Sequence, residues 1–299
     1  MRLGDAVALG RLRLIRDGSF DDLALVGPDA ANALVYAVDE RAIDRLGSSP
    51  AAAIITTPEL AERVDKALAV ATSERPEEAF YAVHRALHET GDFYWRDFAT
   101  VIDPSAKVHA RAYVAPRGVR IAARVEIEPN VTVHERVAIG EDAVVRAGTV
   151  LGAEGFEFKG PAMRQGRASR AARDYGDRNQ RVPHAGSVEI GARVEIQAGC
   201  AVDRSLFKLP TAIGADTKLD NLIHVAHSVR IGRNCLITAG TIIAGSVTIG
   251  DEVWIGPGSV ISSGVRIGDR AAVVIGSTIT RDIAEGERIS SDLKTFRLP

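Results

Sequence analysis

The sequence predicts a left-handed parallel β-helix of six-residue repeats, preceded by a small α/β domain. Three observations support this: a column of branched apolar residues at six-residue intervals, a second column of small or β-branched residues two positions earlier, and an N-terminal third that lacks the period. A period of six matches neither an α-helix nor a simple strand alternation. It is typical of short strands joined by sharp turns, which stack into a prism.

The main apolar column is the strongest of these signals. Its longest uninterrupted stretch consists of Ile213, Leu219, Val225, Ile231, Ile237, Ile243, Ile249, Ile255, Ile261, Ile267 and Val273. One branched side chain per repeat points inward, and the glycine that commonly follows it allows the turn. Eleven consecutive matches leave chance alternation in a β-sandwich as a minor alternative.

The two cysteines, Cys200 and Cys235, both fall in apolar positions of the second column. Two cysteines make neither a disulfide framework nor a zinc-binding spacing. We therefore expect buried free thiols, which are typical of a reducing compartment.

Residues 1–100 mix strand-like and helix-like segments. LVYAV and AAAIITT predict strands, and PELAERVDKALAVATS and PEEAFYAVHRALHET predict helices that begin at Pro58 and Pro76. The predicted organisation is an α/β domain over 1–100, a β-helix over 101–285 with an insertion at 153–187, and a short tail over 286–299.

The insertion is strongly basic. Between Lys159 and Arg181 it contains seven basic and two acidic residues, in a chain whose net charge is −2. We expect a loop that projects from the prism, since loops on a rigid scaffold commonly carry function. A solvated loop without a function is an equally good interpretation.

Overall charge and hydropathy bound the remaining function classes. A nearly neutral chain has no general attraction to nucleic acid or anionic membranes. No apolar stretch of about 18 residues predicts a transmembrane segment. Three arginines, Arg11, Arg13 and Arg16, interrupt the N-terminal apolar run, which argues against a secretory signal. The expectation is a soluble cytoplasmic protein.

Four segments of the β-helix carry a family resemblance. They are AGTVLGAEGFEF (147–158), VEIQAGCAVDRS (194–205), KLDNLIHVAHSV (218–229) and TIIAGSVTIG (241–250). They resemble the UDP-3-O-acylglucosamine N-acyltransferases of lipid A biosynthesis. The N-terminal run LVYAVDERAIDRL, followed by AAAIITT, is more loosely similar to the nucleotide-binding domain of that family.

The resemblance implies a homotrimer with active sites between subunits. It also implies transfer of a 3-hydroxyacyl group to the 2-amino group of a UDP-sugar, without a metal or a bound cofactor. The donor would be acyl carrier protein, whose phosphopantetheine carries the acyl group, and coenzyme A is the alternative donor. A basic insertion suits an acidic carrier protein, although the family lacks this long insert.

His227 and Gly245 are the predicted centre of the chemistry. An imidazole titrates near neutral pH and suits a general base, and the resemblance implies the catalytic histidine at His227. Gly245 lies eighteen residues later, which is three repeats or one coil. It should stack on His227 and offer its N–H to an oxyanion. The alternatives are a surface histidine and an ordinary turn glycine.

The same coil and an earlier one contain further candidates. Asp220 and Asn221 match an Asp-Asn pair of the family, and Asp220 is a weaker candidate to orient His227. His224 either contacts substrate or is an ordinary turn residue. His134 matches a family histidine and is expected at the substrate edge or in a structural role.

The nucleotide and acyl sites rest on the resemblance alone. Tyr36 stands at one position of the family's uracil-contacting aromatic pair, but Ala42 occupies the other. Asp39 replaces an asparagine of the nucleotide site. Phe156 either lines an acyl groove or is a buried anchor. Gly264 replaces a second active-site histidine.

Other functions remain open at this stage. The same histidine could serve an acetyl- or acyltransferase that acts on another nucleotide amino sugar. Some hexapeptide β-helices are non-catalytic scaffolds. A carbonic-anhydrase-like β-helix would need three metal-binding histidines at an interface. The chain also ends in SSDLKTFRLP (290–299) where the family usually continues into a helix.

Overall fold

The computed structural model describes residues 1–160 and 178–290. Internal contacts divide the chain into an N-terminal unit, Met1–Trp95 with Phe156–Pro183, and a solenoid unit, Arg96–Gly155 with His184–Pro299. The sequence had assigned the 153–187 insertion to the β-helix domain. In the structure, residues 156–160 and 178–183 of that insertion are grouped with the N-terminal unit, and residues 153–155 and 184–187 with the solenoid unit.

The N-terminal unit is an α/β domain. Its elements are α1 (Leu3–Gly10), β1 (Arg13–Arg16), β2 (Asp22–Leu23), β3 (Ala33–Tyr36), α2 (Glu40–Leu46), β4 (Ala53–Thr56), a 3₁₀ turn (Ala61–Arg63), β5 (Ala69–Thr72) and α3 (Pro76–Glu89). The five strands form one sheet in the order β1-β5-β4-β3-β2. Strands β2 to β5 pair in parallel, and β1 is antiparallel to β5.

One helix predicted in this unit is wrong. The segment 58–73 forms only a 3₁₀ turn followed by strand β5, whereas the strands at β3 and β4 and the helix at α3 are confirmed. All four residues of β5 are buried between β1 and β4. An interior parallel strand is apolar on both faces, so its sequence shows no alternation, and pairing within the sheet outweighs the helix propensity of alanine.

The described ends of the insertion form a short antiparallel hairpin, β15 (Phe158–Lys159) and β16 (Gln180–Arg181). Lys159 is buried, contrary to the expectation of a projecting basic surface. Its ammonium lies 2.7 Å from Glu157 and 3.6 Å from Glu77, a residue of α3. The four arginines Arg164, Arg167, Arg170 and Arg173 lie outside the described residues.

Over its described residues, the solenoid unit has three faces of parallel strands, with eight, nine and eight strands. The first face contains β6 (Val101–Ile102), β9 (Val119–Ile121), β12 (Val137–Ile139), β17 (Val188–Ile190), β20 (Thr211–Ile213), β23 (Arg230–Ile231), β26 (Thr248–Ile249) and β29 (Arg266–Ile267). The second contains β7 (Lys107–Val108), β10 (Glu126–Ile127), β13 (Val144–Val145), β18 (Glu195–Ile196), β21 (Lys218–Leu219), β24 (Leu236–Ile237), β27 (Trp254–Ile255), β30 (Ala272–Val273) and β32 (Arg288–Ile289). The third contains β8 (Tyr113–Val114), β11 (Thr132–Val133), β14 (Val150–Ala153), β19 (Ala201–Asp203), β22 (His224–Val225), β25 (Ile242–Ile243), β28 (Val260–Ile261) and β31 (Thr278–Ile279).

This arrangement confirms the predicted parallel β-helix. Successive coils place the main apolar column in register, as in the pairing of Val225 with Ile243 and of Ile243 with Ile261. These side chains are buried in a continuous core that runs along the solenoid. Turn residues such as Ser228 and Ser246 adopt left-handed backbone conformations with φ near +60°, which sharp corners require.

The cysteine prediction is also confirmed. Cys200 and Cys235 are free thiols, 2% and 0% exposed, within the solenoid core. Burial raises the pKa of both thiols, so each stays protonated and unreactive at neutral pH. Among the described residues, none of the helices has the length and apolarity needed to span a bilayer.

Candidate active site

The imidazole of His227 lies directly over the backbone of Gly245. A β-carbon at Gly245 would sit 2.6 Å from Cε1 and 2.7 Å from Nε2 of that ring, closer than any real β-carbon contact. The register explains the contact, because β22 pairs with β25 and Ser246 donates its N–H to the His227 carbonyl at 3.0 Å. The predicted stacking of these two residues is therefore present, and a side chain at position 245 would displace the ring.

The residue whose N–H matters here, Gly245, is itself buried. Its carbonyl accepts the N–H of Gly264 in the next coil at 3.0 Å. Within residues 1–160 and 178–290, no acceptor is paired with the Gly245 N–H. The turn geometry accounts for this, since the flanking residues Ala244 and Ser246 carry the bonds between coils. A free backbone donor beside an imidazole is the arrangement that an oxyanion needs.

A second glycine, Gly155, brings three polar side chains together. A β-carbon there would lie 2.9 Å from His184 Nε2, 3.1 Å from Asp203 Oδ2 and 3.3 Å from His227 Cδ2. The rings of His184 and His227 meet edge to face, with centroids 5.2 Å apart and an interplanar angle of 69°. His184 is fully buried and His227 is partly exposed.

Asp203 pairs with the other histidine of the HVAH segment. His224 Nε2 lies 3.1 Å from Asp203 Oδ2, and the His224 side chain is 46% exposed while that of Asp203 is 11% exposed. The hydrogen bond to Asp203 raises the pKa of His224, and partial burial opposes this. The pair therefore favours the protonated imidazole of His224 more than a free histidine would.

The structure does not bring Asp220 to His227. Asp220 follows a strand of the second face, whereas His227 follows one of the third. The Asp220 carboxylate accepts the backbone N–H and side-chain amide of Asn221, at 2.8 and 2.7 Å, and the N–H of Ala239 at 3.2 Å. Asp220 and Asn221 thus stabilise their own corner, and the carboxylate beside the His227 cluster is Asp203.

His134 also lies away from this cluster. It follows Val133, which is three coils from Val225 on the same face, or about 14 Å at the usual strand spacing. Partial burial lowers the pKa of His134, and the nearby charge of Arg204 lowers it further. Arg204 is itself buried and bonds to the carbonyl of Gly152 at 2.9 Å.

In the N-terminal unit, Tyr36 ends strand β3. Its ring packs against Phe80 at 5.0 Å, and its hydroxyl donates to Glu77 at 3.1 Å. Asp39 accepts the N–H of Ala42 at 2.8 Å and caps α2. Ala42 is 7% exposed and belongs to the core, so the position of the family's second aromatic residue faces inward in this chain.

The structure also shows the exposure of Phe156 and the backbone conformation of Gly264. Phe156 is 88% exposed, and its ring is tilted by 57° against that of Phe158 with the centroids 4.9 Å apart, so the alternative of a buried anchor is wrong. Gly264 adopts a left-handed conformation with φ +75°. That backbone favours glycine over the histidine that the family resemblance implies for this position.

Sequence reasoning missed three residues of this cluster: Gly155, His184 and Asp203. Asp203 was visible within the segment VEIQAGCAVDRS, and Gly155 within AGTVLGAEGFEF. His184 had no comparable signal, because it lies in the irregular stretch between two runs of repeats. Across the described residues, no three His, Cys, Asp or Glu side chains are grouped so as to hold a metal ion.

The comparisons with known proteins agree with this picture. Residues 246–281 match the family model described as bacterial transferase hexapeptide (six repeats). The UDP-3-O-acylglucosamine N-acyltransferase of Azorhizobium caulinodans is 32% identical over 81% of this chain and 73% of its own length. The enzyme of the same description from Maricaulis maris is 32% identical over 77% of this chain and 69% of its own length.

Among solved structures, the UDP-N-acetylglucosamine O-acyltransferase of Moraxella catarrhalis is similar over 65% of this chain and 70% of its own. The sequence identity is 22% and the TM-score is 0.40. So weak a structural likeness adds no argument, and the parallel β-helix rests on the strand register given above.

Proposed function

This chain belongs to the family of UDP-3-O-acylglucosamine N-acyltransferases, and from that membership we propose the reaction it performs. It transfers a 3-hydroxyacyl group from acyl carrier protein to the 2-amino group of a UDP-3-O-acylglucosamine, a step of lipid A biosynthesis. The observation that supports this most directly is the His227 imidazole lying against the bare backbone of Gly245.

His227 serves as the general base in this proposal. The amine attacks the thioester carbonyl, a C–N bond forms, and His227 accepts the proton that the attacking nitrogen loses. The C–S bond of the tetrahedral intermediate then breaks, and the imidazolium returns the proton to the departing thiolate. An imidazole suits both transfers because its unperturbed pKa lies near neutrality.

Gly245 serves as the oxyanion donor. Negative charge develops on the thioester oxygen as the amine attacks, and a fixed backbone N–H stabilises it without reorganisation. The free N–H of Gly245 lies beside the ring of His227. Base and oxyanion donor therefore stand on adjacent coils, and a single thioester carbon can meet both.

His224 and Asp203 serve to bind an anionic group near the reacting centre. Asp203 favours the protonated form of His224, and the exposed part of that imidazolium offers a charged donor. The N–H of a positively charged imidazolium forms stronger hydrogen bonds to anionic oxygens than a neutral donor does. In this proposal the roles of Asp220, Asn221 and His134 are structural. The first two stabilise a corner of the solenoid, and His134 lies on a different coil from the reacting groups.

Tyr36 serves as the nucleobase platform. It stands at the carboxyl end of a parallel strand, the edge of an α/β sheet where ligands commonly bind. Its hydroxyl is held by Glu77, which fixes the ring plane. Asp39 contributes mainly by capping the helix that follows, and Phe156 is an exposed aromatic suited to an acyl chain.

The proposal includes acyl carrier protein as partner, a homotrimer as the active assembly and the cytoplasm as location. Exposed apolar side chains support assembly: Leu236 and Trp254 are register neighbours on the second face, 50% and 37% exposed, and Ile242 beside His224 is 45% exposed. Apolar groups at such positions are typical of surfaces that are covered by a partner.

A second candidate is an acyltransferase that uses coenzyme A and acts on a different nucleotide amino sugar. The observation in its favour is that position 42 holds a buried alanine. Of the aromatic pair that the resemblance implies, this chain therefore has Tyr36 alone. With less stacking surface, uridine need not be the preferred base.

One assay separates the two candidates. The full-length protein is offered 3-hydroxyacyl carrier protein or 3-hydroxyacyl coenzyme A, with UDP-3-O-acylglucosamine or another nucleotide amino sugar as acceptor. Amide formation that is fastest with the carrier protein and the UDP-sugar supports the main proposal. Turnover confined to other pairs supports the second candidate, and no turnover with any pair contradicts both.

A further inference from the structure

The second imidazole beside His227 has no part in the chemistry described above. His184 is 0% exposed, and its ring meets that of His227 at 5.2 Å in an edge-to-face arrangement. A histidine is seldom fully buried without a specific reason. Here its ring packs against the one side chain that the proposed reaction needs to hold in a single orientation.

Gly155 allows this close packing. A β-carbon at that position would come within 2.9 Å of His184 Nε2 and 3.3 Å of His227 Cδ2. The backbone of Gly155 is not in the left-handed region, so its conformation does not demand glycine. Glycine is needed at position 155 because the two imidazoles occupy the space that a side chain would fill.

The main chain that carries His184 is firmly attached to the solenoid. The N–H of Ala185 donates to the Leu206 carbonyl at 3.1 Å, and the N–H of Gly186 donates to the Ser205 carbonyl at 3.0 Å. The carbonyl of Ala185 accepts the guanidinium of Arg136 at 2.7 Å. Because the two residues that follow His184 are held in this way, the buried ring has a fixed position.

The ring of His227 is thereby enclosed on three sides. Its Cε1 and Nε2 edge faces Gly245, its Cδ2 faces Gly155, and the ring of His184 packs beside it. Rotation about the side-chain bonds of His227 would carry the ring toward one of these neighbours. The enclosure thus keeps the Nε2 edge against the backbone of Gly245.

We propose that His184 is a positioning residue for acyl transfer: its buried ring fixes the orientation of the His227 imidazole over Gly245. This rests on the proposed function. The role is mechanical, since a base displaced by about 1 Å loses on the order of 100-fold in rate while substrate binding is kept.

The test compares His184→Ala, which removes the ring, with His184→Phe, which keeps an aromatic ring of similar size. We expect His184→Ala to lower kcat by about 10- to 100-fold with KM within about twofold. We expect His184→Phe to recover kcat to within about threefold of the wild type. His184→Leu replaces the alanine variant if that variant does not fold.

A crystal structure of each variant gives a readout that does not depend on substrate identity. His227 in one rotamer in the wild type and His184→Phe, but in several rotamers in His184→Ala, supports the proposal. A single unchanged rotamer in all three proteins overturns it. So does a loss of kcat in His184→Ala that His184→Phe does not restore. Absence of turnover in the wild type would contradict the proposed function, and the rotamers would still decide the role of His184.

Discussion

The ring of His227 lies so close to Gly245 that a β-carbon at position 245 would overlap it. A β-carbon would come within 2.7 Å of Nε2, the nitrogen on the edge that faces the glycine. This contact follows from the coil length, because three six-residue repeats return the chain to the same corner. It makes the geometry of the proposed base directly testable.

Gly245→Ala should abolish most of the activity. The added methyl group would push the His227 ring away from the backbone, and a displacement of about 1 Å costs on the order of 100-fold in kcat. The measurement is steady-state acyl transfer together with thermal unfolding. Ser263→Ala is the matched control, since position 263 lies one coil further on, is exposed and already carries a β-carbon. A Gly245→Ala enzyme with kcat close to that of the wild type would contradict the proposed geometry.

Asp203→Asn should lower the pKa of His224. The carboxylate stabilises the protonated imidazole through the 3.1 Å bond, and a neutral amide cannot do so. The raised pKa also means that the pair stabilises the fold at pH values below about 6.5, and that this stabilisation is lost as the pH rises through the folded-state pKa. Histidine titration by ¹⁵N NMR gives the comparison, and an unchanged His224 midpoint in the variant would rule out the pairing.

Stability should fall in mild acid because of His84. This histidine is buried in the N-terminal unit, where its ring nitrogens bond to the Tyr94 hydroxyl at 2.6 Å and the Pro183 carbonyl at 2.8 Å. Burial lowers the pKa of His84 to about 4. The unfolded chain therefore binds the proton first, near pH 6.5. The contribution of His84 to the free energy of unfolding should be constant above that pH and should fall by about 3 kcal/mol between pH 6.5 and 4.

Chemical denaturation across that pH range tests the His84 prediction. His84→Gln cannot titrate there and should show a shallower decline than the wild type. Equal slopes in the two proteins would mean that other groups control the acid sensitivity.

Tyr36→Ala should weaken UDP binding by about 10- to 100-fold, because stacking of a base on an aromatic ring contributes about 1–3 kcal/mol. Tyr36→Phe keeps the ring and loses only the hydroxyl bond to Glu77, so its affinity should stay within about fivefold of the wild type. Calorimetric titration with UDP distinguishes the two variants. Equal affinities for wild type and Tyr36→Ala would place the nucleobase elsewhere.

The solenoid could be predicted from sequence because each repeat encodes one inward side chain and one turn. The contact of His227 with Gly245 followed from the same count of eighteen residues. The absence of the six-residue period from the N-terminal residues also predicted that they form a unit separate from the solenoid. Where the repeat is continuous, the number of a residue therefore predicts the coil and the face on which it lies.

The rest of the site lies where the six-residue repeat is interrupted, so counting residues does not predict positions there. The register shifts between Leu151 and Ala153 opposite Asp203, and the insertion follows immediately after. His184 emerges from that insertion, so no count of repeats places it beside His227. Asp220 was assigned to His227 because the two are close in sequence, but a corner of the prism separates them. The run that forms β5 was predicted as a helix because a buried interior strand has no alternation.

The most direct test of the account is the rate of acyl transfer by His227→Ala. Transfer from 3-hydroxyacyl carrier protein to UDP-3-O-acylglucosamine is measured in parallel for the wild type and for His109→Ala, which changes an exposed turn histidine whose Nδ1 accepts the N–H of Arg111. We predict that kcat falls by at least about 100-fold in His227→Ala and is unchanged in His109→Ala. Equal rates in His227→Ala and the wild type would contradict general-base catalysis by His227, whatever the acyl acceptor.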